Sequence, residues 1–163
     1  MKIIRGIKDI AKDYDIFILD QWGVMHDGHK GYDDSIDCIK QLINKKKILT
    51  IISNSSKRKE KTLVRLPQMG FNPIFFNEVM TSGEMIWKSL MNKNFSQTKN
   101  LGKNCFHIFD DSQEDAKFIL EGLRGFNCVQ DIEKADFILG CTPFKNKNII
   151  DYFPILNVAK KII

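Results

Sequence analysis

At 163 residues and 43% hydrophobic side chains, the chain carries enough apolar material for one ordinary domain or two small ones. No apolar run approaches the roughly 18 to 20 residues of a bilayer span, and MKIIRGIKDIAKDYD interrupts its apolar positions with charges where a secretory leader would not, so a cytoplasmic protein without a membrane partner is expected. The net charge of +5 is a diffuse lysine excess whose densest runs, Lys45 to Lys47 and Lys57 to Lys61, fall where solvated charge is usual, so no nucleic-acid partner is expected.

Ile16 to Leu19 is a short continuous apolar run, the pattern of a strand covered on both faces of a parallel sheet. Asp33 to Lys45 reads as a helix, because Ile36, Ile39, Leu42 and Ile43 share one face. Ile48 to Ile52, rich in β-branched residues, is a second buried strand, which gives a β-α-β unit with a right-handed crossover. A helix is expected over Lys59 to Leu66, disturbed by Pro67 and stopped at Gly70. Thr81 to Glu84 has the spacing of a capping box and predicts a further helix. Asn92 to Asn104 reads as a linker.

Beyond it, Cys105 to Phe109 is strand-like and Ser112 opens a helix carrying Ala116, Ile119, Leu120 and Leu123. Phe126 to Val129 and Phe137 to Gly140 are two short strands, and the last helix, Asn148 to Ile162, is kinked at Pro154 or starts there. The fold class is therefore α/β in both segments, divided near residue 80, with only two firm parallel strands in the first. Cys38, Cys105, Cys128 and Cys141 form no C-x-x-C pair and read as reduced, mostly buried thiols.

In open α/β sheets, ligands bind outside the carboxyl ends of the strands. Asp20 ends the first strand, and Ser53 and Asn54 end the second, so a carboxylate, a hydroxyl and an amide should face one crevice. Such a set can supply a nucleophile or metal ligand with hydrogen bonds to a phosphate, or merely cap a turn and a helix. No G-x-G-x-x-G or G-x-x-x-x-G-K-[ST] supports a nucleotide-binding alternative.

The run FILDQWGVMHDG, Phe17 to Gly28, resembles motif I of the haloacid dehalogenase superfamily in its subclass IIA form, and ILTIISNSS, Ile48 to Ser56, resembles motif II. The resemblance implies a partial Rossmannoid parallel-sheet core over residues 1–80 and an α/β cap over 81–163. It makes Asp20 the catalytic nucleophile and a Mg²⁺ ligand, Trp22 a second Mg²⁺ ligand through its backbone carbonyl, and Ser53 and Asn54 the phosphate-binding residues. The implied reaction is Mg²⁺-dependent hydrolysis of a small phosphorylated metabolite through an aspartyl-phosphate.

Two departures follow. Trp22 stands where most phosphatases of the superfamily carry an aspartate as general acid and base, which leaves His26 or Asp27 as substitutes. The lysine of motif III and the acidic motif IV cannot be placed; Asp110-Asp111 is the only rival for the acidic motif and reads instead as a helix cap. The C-terminal half of the core is therefore expected to be absent and activity impaired. The alternative is a truncated, non-catalytic binding or oligomerising protein, a homo-oligomer that covers the open core edge.

Overall fold

Three parallel strands, β1 (Ile16–Leu19), β2 (Ile48–Ser53) and β3 (Glu78–Thr81), lie side by side in the order β1-β2-β3. The computed structural model describes residues 3–92, 96, 98–110, 120, 122–141 and 147–162. Its chain divides into two compact units, Met1–Ser55 with Lys59–Ser82, and Ser56–Arg58 with Gly83–Ile163.

In the first unit, Leu19 pairs with Ile51 and Ile51 with Val79, so the strands run in register toward one carboxyl edge. Helix α1 (Asp33–Asn44) connects β1 to β2 and buries Ile39 and Leu42, with Ile36 and Ile43 partly covered, as the apolar spacing predicts. Helix α2 (Lys59–Arg65) leads to a 3-10 turn at Pro67–Met69, where the proline ends the α-helical geometry. Both helices contribute to one core with Phe17, Leu19, Leu49, Ile51 and Val79.

Among the described residues that core lies on one face of the sheet, and here the structure corrects the expectation of strands covered on both sides. Ile16, Ile18, Ile48 and Ile52 project to the opposite face and are 58%, 65%, 41% and 50% exposed. Successive side chains in a strand point to opposite faces, and both connecting helices pack on the same one. The third strand is a further correction: β3 was hidden in the sequence because only Val79 and Thr81 of its four residues face the core.

The helix expected after a cap at Thr81 begins where that spacing puts it, at Ser82, directly behind the strand. Thr81 closes β3 and is buried, and α3 (Ser82–Met91) starts one residue later. Glu84 on α3 is 2% exposed and accepts from Arg58 Nε at 2.7 Å, with Lys88 Nζ 3.8 Å away.

In the second unit, β4 (Asn104–Ile108), β5 (Asn127–Cys128) and β6 (Phe137–Gly140) form a parallel sheet in the order β5-β4-β6. Cys105 and Leu139 are its buried centre, flanked by Ile86, Leu120, Phe137 and Cys141. Cys128, by contrast with the expected burial of the thiols, is exposed. The final helix α4 (Phe153–Ile162) begins at the proline rather than bending there: Pro154 sits in its first turn, after a 3-10 turn at Ile149–Tyr152. Of the helix predicted from Ser112 to Leu123, residues 112–119 and 121 lie outside the described residues, as do 93–95 and 97 of the expected linker, while Leu120 stands in a turn and Leu123 outside any helix. Among the described residues no helix is long and apolar enough to cross a membrane.

Candidate active site

Asp20 follows the last residue of β1 directly, and the register puts Ser53 two residues beyond the partner of Leu19 on the adjacent strand. Parallel strands lie about 4.8 Å apart, so the carboxyl ends of β1 and β2 bring Asp20, Ser53 and Asn54 to one edge of the sheet. Asp20 is exposed, and the Gln21 backbone N–H donates to its Oδ1 at 2.7 Å. The Ser55 N–H donates to Ser53 Oγ at 3.3 Å, and Ser82 Oγ donates to the Asn54 side-chain oxygen at 3.1 Å. That contact turns the Asn54 side chain to structural use.

The loop after Asp20 is wound tightly on its own backbone. The Gln21 carbonyl accepts from Met25 N–H at 2.8 Å and from Val24 and His26 at 3.3 Å, while Gly23 N–H returns to the His26 carbonyl at 2.9 Å. Gly23 has φ +75°, a left-handed conformation that costs a residue with a Cβ free energy, which accounts for the Trp-Gly pair. Met25 is 1% exposed and anchors the loop in the core.

A second turn follows, in which His29 and Lys30 N–H groups both donate to Asp27 Oδ1, at 2.8 and 2.7 Å. The Trp22 ring lies against Gly28, whose φ is +97°; any Cβ there would collide with the indole. Arg65 on α2 clamps the same residue, donating from Nη2 to the Gly28 carbonyl at 2.9 Å.

Neither substitute proton donor is free for that work. The Lys30 and His29 N–H groups hold the Asp27 carboxyl below its usual range, so it stays ionised within its turn. His26 is buried and accepts from Gly28 N–H through Nδ1 at 3.0 Å, which places the proton of the neutral ring on Nε2. Burial, then the charge of Arg65, push its pKa down, while Asp27 and Asp20 oppose this. Burial also lowers His107 in the second unit.

An acid-sensitivity prediction follows from both. A histidine whose folded pKa lies below its unfolded value of about 6.5 is protonated preferentially in the unfolded chain. Its stabilising contribution is full above that value and is lost as pH falls toward the folded pKa. Thermal melts should therefore show Tm falling from pH 7 to pH 5, with the fall reduced in His26→Gln; a flat profile refutes it.

Asp20 offers a carboxylate and Trp22 a carbonyl that accepts no hydrogen bond among the described residues. Hard oxygen donors are what Mg²⁺ takes, so the pair fits, although two ligands leave most of an octahedral shell to water and substrate. No group of three or more His, Cys, Asp or Glu able to hold a metal is found among the described residues.

Asp20, Trp22, Ser53 and Asn54 are thus brought to one edge, as the motif spacing anticipates. Arg65 was missed, because nothing in its helical pattern signals a contact with residue 28.

Residues 17–120 match the family model described as "Haloacid dehalogenase-like hydrolase". No curated protein matches the chain. A haloacid dehalogenase-like hydrolase from Brucella suis 1330 is similar in structure, with TM-score 0.80 and 19% identity over 99% of this chain and 57% of that one. A "possible sugar phosphatase" of the same superfamily from Cytophaga hutchinsonii gives TM-score 0.70 and 15% identity over 98% and 54%. The 4-nitrophenylphosphatase of Thermotoga maritima gives TM-score 0.64 and 20% identity over 93% and 53%. The chain spans little more than half the length of these structures.

Proposed function

The chain belongs to the haloacid dehalogenase-like hydrolase family, and from that premise we propose that it carries the nucleophile of a Mg²⁺-dependent phosphohydrolase acting on a small phosphorylated metabolite. The supporting observation is the exposed Asp20 carboxylate at the carboxyl end of β1, beside the Ser53-Asn54 end of β2. In this reading residues 1–80 supply part of a subclass IIA core and residues 81–163 the α/β cap. The setting is cytoplasmic, with neither nucleic acid nor membrane as partner.

In this reading, Asp20 attacks phosphorus, the bond to the ester oxygen breaks, and the departing oxygen takes a proton from solvent water to leave as the alcohol. Water then hydrolyses the aspartyl-phosphate. Ser53 Oγ and the Asn54 backbone N–H hold the non-bridging oxygens. Asp20 and the Trp22 carbonyl would hold Mg²⁺, which when bound would offset the repulsion between carboxylate and anionic substrate.

Incubation with acetyl phosphate and Mg²⁺ should transfer a phosphoryl group to Asp20, with acetate leaving, and peptide mass spectrometry should locate it there. No label, or a label that persists in Asp20→Asn, rejects the reading. Catalytic turnover of p-nitrophenyl phosphate by the 163-residue chain should stay near background, since neither the motif III lysine, which would offset the transferred charge, nor the acidic motif IV, which would help hold Mg²⁺, can be placed in its sequence. Turnover that Asp20→Asn abolishes would refute this impairment.

The exposed face formed by Ile16, Ile18, Ile48 and Ile52 favours a second reading, a non-catalytic protein that self-associates to cover it. Light scattering should then report a dimer or larger species, and a monomer counts against it.

A further inference from the structure

Resting on the assignment of Asp20 as phosphoryl acceptor, we infer that the Trp22 indole is a specificity-determining platform that selects phosphate esters with a flat, aromatic leaving group. Trp22 is 69% exposed, an unusual setting for so large an apolar side chain two residues from a nucleophile. Its ring is nonetheless supported. One side lies against Gly28, where no larger residue would fit, and its edge meets the His26 ring at a centroid distance of 6.3 Å and an interplanar angle of 85°.

Each support is itself fixed. Gly28 is held through its carbonyl by Arg65, and His26 is bound to Gly28 N–H and bridged to the Trp22 backbone. The indole is therefore ordered before any ligand arrives, with much of its area open to solvent. Trp22 follows Asp20 by two residues in the tight loop that closes on the Gln21 carbonyl, so nucleophile and ring belong to one turn of chain.

An open, pre-ordered π-face attracts another flat π-system by offset stacking, and gives a saturated ring of similar size less.

The test is a comparison of phenyl phosphate, cyclohexyl phosphate and inorganic phosphate, each titrated calorimetrically against the chain with Mg²⁺. A parallel fluorescence titration uses Trp87→Phe, which leaves Trp22 as the sole tryptophan of the two in the chain. Phenyl phosphate should bind about fivefold more tightly than cyclohexyl phosphate. It should also perturb Trp22 emission more. The preference should persist in Trp22→Phe and vanish in Trp22→Leu, whose melting temperature should stay close to that of the native chain because the ring is exposed.

Equal affinity for the two esters, or a preference that survives Trp22→Leu, overturns the inference while leaving the phosphoryl reading intact. Failure of all three compounds to bind overturns that reading and the inference with it.

Discussion

Ile51→Ala should lower the unfolding free energy by about 4 kcal/mol, at the upper part of the range for large-to-small core substitutions. Ile51 is 0% exposed on β2, the central strand, with Leu19 and Val79 as its register partners. Neighbours on both sides are fixed by backbone hydrogen bonds, so the cavity cannot easily collapse. Ile52, the next residue, points the other way and is 50% exposed. Ile52→Ser should change stability by less than about 1 kcal/mol, as surface substitutions do. Urea denaturation of the two variants makes the comparison, and similar losses would mean that the second face is covered after all. Under the self-association reading, Ile52→Ser should instead weaken the dimer seen by light scattering.

Arg58→Ala should cost about 3 kcal/mol, because it removes a partner from a buried carboxylate. Glu84 is 2% exposed and accepts from Arg58 Nε at 2.7 Å. The same guanidinium lies 3.8 Å from the centroid of the Trp87 ring, so the substitution also removes a cation–π contact and packed alkyl area. Lys88, at 3.8 Å and more exposed, compensates only part of the charge. The decisive control is Arg58→Ala with Glu84→Gln, which removes the buried charge and should recover part of the loss. A single-variant loss under about 1 kcal/mol, or no recovery in the double variant, would show that Glu84 does not depend on Arg58.

Much of the first unit was legible because its signals are local. The spacing of Ile36, Ile39, Leu42 and Ile43 marks α1, the runs at Ile16 and Ile48 mark two strands, and Pro67 marks the end of α2. The placement of Asp20 beside Ser53 and Asn54 was legible too, since parallel strands joined by a helix must present their carboxyl ends together. The family assignment rests on those same stretches and is borne out over residues 17–120.

What the sequence could not settle is what each surface meets. A run such as ILTIIS shows which residues share a face, but whether that face is covered depends on where α1 and α2 pack, and they cover one side only. Strand β3 was invisible alone, since Glu78–Thr81 becomes a strand by pairing with β2. Arg65 reaches Gly28 across 37 residues and Arg58 reaches Glu84 across 26, contacts that no local period encodes. Sequence alone determined α1, the first two strands and the chemistry at the strand ends, because backbone propensity and apolar spacing act over a few residues. Tertiary structure decided the exposed sheet face and the propped Trp22 ring, because burial and contact depend on distant chain segments brought together by folding.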